Sequence, residues 1–178
     1  MNPDEIINLL NSNYYNLNQF FDHKPADFCT FRPSVDKWTA GQHVVHLVQS
    51  EATLLKALAM PMFLLKWKFG KSNRPSRTFE EVVHRYNEKL RQAGNVVSPF
   101  SKNMPEVNSN NLKSWLDKLK SLNDKLNQKT KALHEKELDT VILPHPLMGK
   151  LILREMLMWN AYHTAHHLNI LKEKYTGQ

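Results

Sequence analysis

The chain has 178 residues, 41% of them hydrophobic, a formal charge of +7 at neutral pH and a single cysteine. That length supports one domain, residues 1–178, with a real core. No run of eighteen or more apolar residues occurs, so no membrane-spanning helix is expected, and Cys29 alone excludes an intramolecular disulfide framework or a cysteine-based zinc cluster. The positive charge sits largely on lysines at helix-surface spacing, which reads as a solvated surface rather than a nucleic-acid interface; the acidic start of the chain, with Asp4 and Glu5, predicts no signal peptide, and the single cysteine is compatible with the reducing cytoplasm expected for this protein.

The first helix is predicted over residues 4–22, with Ile6, Leu10, Leu17 and Phe21 on its buried side and Pro3 suited to its first turn. Residues 23–37 form a loop broken by Pro25 and Pro33. Thr39 and Gln42 then spell a capping box for a second helix that ends near Pro61. Its apolar side is Val44, Leu47, Val48, Leu55 and Leu58; His46 lies off that side, on a small polar face that fits either solvent or a wet cavity. Residues 60–70 are apolar and aromatic with interleaved lysines and read as a short helix or turn packed on the core, with a lid or a membrane-surface patch as the functional alternative.

A shorter helix follows over residues 78–93, capped by Thr78 and Glu81 and stopped at Gly94. Residues 95–109 are turn-rich. Residues 111–133 form a helix with a leucine seam (Leu112, Leu116, Leu119, Leu126, Leu133), interrupted by Asn123 and Thr130, which are expected to face an interior cavity shared with the site. Pro144-His145-Pro146 and Gly149 mark a tight, non-helical approach to the last helix, residues 151–175. No segment shows clean two-residue alternation, so strands are not expected. The fold class is all-α, with four long helices and a shorter one in an insertion.

The last helix carries the chemistry. Its inward side reads Ile152, Met156, Trp159, His163, Ile170, and His167 follows His163 by one turn, about 40° round the helix. Imidazoles on an inward face need partners, because unpaired buried polar groups destabilise the fold. A transition-metal ion is one such partner, since spacing of i and i+4 lets two rings reach one ion. Ordinary hydrogen-bonded core or surface histidines are the other, and spacing alone leaves both open. No glycine-rich phosphate loop, nucleophile elbow or Cys-X-X-Cys is present. Glu51 and Glu155 are the carboxylates considered as general bases.

The stretch Trp38-Thr39-Ala40-Gly41-Gln42-His43-Val44-Val45-His46-Leu47, together with His163-Thr164-Ala165-His166-His167, resembles the DinB-like superfamily, whose second helix opens on Trp, Ser/Thr, two residues, Glu/Gln, three residues, His, Leu. The run from Pro144 to Leu151 resembles the approach to the last helix in one branch of it. The resemblance covers nearly the whole chain. It implies a four-helix bundle of up-down-down-up connectivity, often a homodimer, with a divalent metal, zinc or nickel foremost, held by His46, His163 and His167. His43, His166 and Gln42 fall outside the ligand set as supporting residues. The resemblance further implies a metal-dependent hydrolase or a low-molecular-weight-thiol transferase acting on a small molecule, with a small thiol as a second cofactor. The competing class is a non-enzymatic metal- or ligand-binding bundle of a stress response.

Overall fold

A computed structural model describes residues 1–94 and 104–175. Residues 95–103 of the predicted turn-rich segment and residues 176–178 lie outside the described residues. Four long helices build the bundle: α1 (Pro3–Asp22), α2 (Ala40–Leu58), α5 (Leu112–Ala132) and α7 (Leu153–Lys174). Between α2 and α5 lie α3 (Met62–Phe69) and α4 (Phe79–Ala93), and α6 (Glu135–Thr140) follows α5. A short 3-10 turn, Ala26–Thr30, bridges α1 and α2.

The helix starts are set by local chemistry. In α2 the Gln42 amide donates to Thr39 Oγ1 at 3.3 Å and Gln42 Oε1 accepts from the Thr39 amide at 2.9 Å. The same reciprocal pairing joins Thr78 and Glu81 at the start of α4, and Asn2 and Glu5 at the start of α1. Gly94 ends α4 with φ of +57°, a conformation that side-chain-bearing residues rarely adopt.

The direction of each helix follows from which end joins which hydrophobic cluster. One cluster holds Ile6 and Leu10 of α1, Leu54 and Leu58 of α2, Leu126 of α5 and Leu153, Met156 and Leu157 of α7. The other holds Leu17 and Phe21, Val44 and Leu47, Leu116 and Leu119, and Leu168 and Leu171 of the same four helices. Thus α1 and α7 run from the first cluster to the second, and α2 and α5 run back, which is the up-down-down-up order. Two cross-links agree with the parallel pairing of α1 with α7: Arg154 donates to the Met1 carbonyl at 3.0 Å, and Asn13 donates to the Ala161 carbonyl at 2.9 Å.

Three features correct the sequence reading. First, a β-hairpin is present where no strand is expected: β1 (Ile142–His145) pairs antiparallel with β2 (Gly149–Ile152), Leu143 facing Leu151 and His145 facing Gly149. Strands of four residues are too short to display alternation, and Pro144 in a two-stranded ribbon leaves no inner ladder to interrupt. The hairpin also shortens α7, which begins at Leu153 rather than 151. Second, among the described residues the extra helices number three: α3 forms where a short helix or turn is expected, and α6 is added beside α4. In α3, Leu65 is buried and Met62 and Phe69 pack half-buried beside it, whereas Phe63 and Trp67 are 74% and 82% exposed and face outward. Third, Asn123 does not reach toward the histidines: its amide donates to Asn11 Oδ1 at 3.0 Å, across the contact of α5 with α1. No helix among the described residues is long and apolar enough to cross a membrane.

Candidate metal centre

The antiparallel course of α2 and α7 brings the two histidine clusters of the sequence side by side. His43 and His46 enter from α2, His163 and His167 from α7, and none of the four is more than 6% exposed. The sequence left His46 between solvent and a wet interior; it is interior. His46 Nε2 stands 3.2 Å from His163 Nε2, and His167 Nε2 stands 3.0 Å from the same atom. One nitrogen from each of His46, His163 and His167 lies within 4.8 Å of the other two, a group able to hold a metal ion. Two nitrogens bound to a tetrahedral ion at about 2.0–2.1 Å are about 3.3–3.4 Å apart, so the spacing of the three rings fits such an ion with little movement.

Electrostatics keep these rings neutral, the state in which imidazole donates to a metal. Burial first, then neighbouring His46 and His166, pushes His43 down to about 3. Burial and His166 push His46 down to about 4. His163 and His167 lie well below the usual range, from burial and then from the surrounding imidazoles.

A second layer fixes the first. His43 Nδ1 is 2.8 Å from His167 Nδ1, His43 Nε2 is 2.8 Å from the Tyr175 hydroxyl, and Tyr175 donates to the Trp38 carbonyl at 2.8 Å. The Trp38 ring covers His46, His43 and His167 with centroids 4.8, 5.3 and 6.1 Å away. On the other side Trp159 stacks on His163 at 4.6 Å, and His145 of the hairpin meets Trp159 edge-on at 4.2 Å. A cleft of about 480 Å³ runs beside Trp38, His43, Ile170, Lys174 and Tyr175.

The remaining candidates separate. His166 is half-buried, with its ring 5.4 Å from Tyr86 and 5.4 Å from His167, and it is not among the three converging nitrogens. Gln42 spends its side-chain oxygen on the α2 cap. Glu155 has no exposed surface and is held by Arg74 at 2.6 and 2.7 Å, by the Arg77 amide at 2.8 Å and by the Ile152 amide at 3.3 Å. Burial acts to raise its pKa, but the Arg74 hydrogen bond and these amides outweigh it and hold the carboxyl below its usual range. Glu155 therefore caps α7 and ties the α3–α4 segment to it. Glu51 is 4% exposed and pushed up to about 8, by burial and then by Asp124. The sequence reading missed Tyr175, the group at the far end of the second layer; its only signal was its place two turns beyond His167 on the same helix.

A histidine triad set between antiparallel helices of an up-down-down-up bundle defines the class of protein. The sequence pattern of the DinB superfamily matches residues 9–171, and the chain belongs to that superfamily. TT2238, a protein of known crystal structure described as a four-helix bundle protein, superposes with a TM-score of 0.53 at 18% identity over 96% of this chain and 98% of that one, a likeness of fold. No curated protein matches the chain.

Proposed function

We propose that the protein is a divalent-metal-dependent enzyme acting on a small molecule, with zinc or nickel held by His46, His163 and His167, and that its reaction is hydrolysis or transfer of a low-molecular-weight thiol. One observation carries this reading: His163 Nε2 faces two other Nε2 atoms at 3.0 and 3.2 Å in a buried, neutral cluster. A neutral ring nitrogen offers either one proton or one lone pair, so three of them meeting at one point are best satisfied by a shared cation. A bound divalent ion supplies Lewis acidity and lowers the pKa of a bound water or thiol. Three histidine donors match the protein ligand count of catalytic rather than structural zinc sites.

The chain's own residues do the rest. His43 holds the His167 ring through Nδ1. Trp38 shields the cluster from water on one side and borders the cleft through which a small substrate approaches. The two buried carboxylates favour thiol transfer over hydrolysis. Glu155 is committed to Arg74 and Arg77, and Glu51 keeps its proton near neutral pH, so neither is free to act as a general base on water. In thiol transfer the thiol gives its proton to solvent, sulfur forms the bond to an electrophilic carbon, and the bond from that carbon to the leaving group breaks, the leaving group departing with its electron pair and taking up a proton from solvent.

The deciding experiment is elemental analysis of protein purified without a histidine tag, beside the His46→Ala/His167→Ala variant. About one zinc or nickel per chain, lost in the variant, supports the site and directs a screen of thiol–electrophile pairs, then esters and amides. No metal even after reconstitution refutes it.

A further inference from the structure

The second layer has a direction, and it follows from counting protons. A carbonyl oxygen only accepts, so the 2.8 Å bond between Tyr175 and Trp38 has the phenol as donor. Burial pushes the Tyr175 phenol up to about 12, so it keeps that single proton at neutral pH. Toward His43 Nε2, also at 2.8 Å, the phenol oxygen is then left as acceptor, and His43 Nε2 carries the hydrogen. A neutral imidazole has one N–H, so His43 Nδ1 is bare and accepts from His167 Nδ1–H at 2.8 Å. The proton of His167 is thereby placed on Nδ1, and its Nε2, 3.0 Å from His163 Nε2, presents a lone pair to the cluster.

We propose that Tyr175 is a positioning residue: through the chain Trp38 carbonyl, Tyr175 hydroxyl, His43, His167, it locks His167 in the tautomer whose Nε2 can donate to a metal. The inference rests on the metal-site reading for its purpose, but the lock itself is a property of the metal-free protein. Without the hydroxyl, His43 has no acceptor to hold its hydrogen at Nε2. It can then carry the hydrogen at Nδ1, donate to His167 Nδ1 and drive the His167 hydrogen onto Nε2, where it blocks the donor position. The Tyr175 ring is a separate matter: it is 3% exposed and packs edge-on against Phe31 at 6.0 Å, a contact that phenylalanine retains.

The test is Tyr175→Phe, read in two ways. Long-range nitrogen–proton NMR of the metal-free protein assigns each tautomer directly. Wild type is expected to show His43 with the hydrogen on Nε2 and His167 with it on Nδ1, and the variant to show a mixture at both rings. Zinc affinity, measured against a chromophoric chelator, is expected to fall by about 10- to 100-fold in the variant, the range for removal of an outer-layer partner. Wild-type His167 carrying its hydrogen on Nε2 overturns the proposal whether or not the variant folds. So does a folded variant with unchanged tautomers or unchanged affinity. Wild type that shows the expected tautomers yet binds no zinc refutes the metal reading, and the assigned purpose of the lock falls with it.

Discussion

Glu51 makes the pH dependence of stability predictable. It sits in α2 with 4% of its surface exposed, and its Oε1 has no hydrogen-bond partner among the described residues. Burial, with a smaller contribution from Asp124, lifts it from an ordinary 4.5 to about 8. The sign follows from proton binding. Between those two pH values the unfolded chain has released this proton while the folded chain keeps it, so stability falls as pH rises through the window and the loss is complete above about 8. Each pH unit of that window is worth about 1.4 kcal/mol, so the full loss is at most about 5 kcal/mol. Glu51→Gln keeps the size and removes the titration. Metal-free variant and wild type are expected to be of similar stability near pH 4.5. The variant should gain steadily above that, and each kcal/mol should raise Tm by about 2–4 °C in a chain of this size. Urea denaturation of both proteins at half-unit pH steps measures the difference; any effect of titrating histidines is common to both and cancels. A stability difference that stays flat from pH 5 to pH 8.5 would refute the reasoning.

Two further predictions separate packing from ligation. At Gly41, a Cβ would stand 2.4 Å from Val107 Cγ1, 2.6 Å from Val107 Cβ and 3.1 Å from the Cys29 carbonyl, so Gly41→Ala should destabilise by about 1–3 kcal/mol, with Gly41→Ala/Val107→Ala recovering part of it in thermal melts. His163→Ala should abolish metal retention while far-UV circular dichroism stays helical, whereas His166→Ala should retain the metal, because only the first ring belongs to the converging set; equal metal content in the two variants by elemental analysis sinks the ligand assignment.

What the sequence made legible was local. Thr39 with Gln42 and Thr78 with Glu81 announce helix starts because a capping box is complete within four residues. The side of α1 marked by Ile6, Leu10, Leu17 and Phe21 is the side that is buried, since a peripheral helix shows the core one stripe. The pairing of His163 with His167 was legible for the same reason, being one helical turn. The hairpin was not, because Leu143, Leu151 and Ile152 become strand only through each other and through the packing of α7.

His46 shows where periodicity misleads. Measured against Val44, Leu47 and Val48, it falls off the apolar side of α2, yet it too is buried. The reason lies in α7, whose residues from Leu153 to Ala161 are buried all round, because the helix is packed by α1, α2, α4 and the hairpin together. A helix beside such a neighbour has two inward faces, one toward the leucines of α5 and one toward α7, and only the first is apolar. The second is written in His43 and His46, and its polarity comes from meeting His167 and His163 rather than from meeting water. A histidine off the apolar stripe therefore marks an interior site when the facing helix carries histidines on its own inward side, a condition that no single helix's periodicity contains.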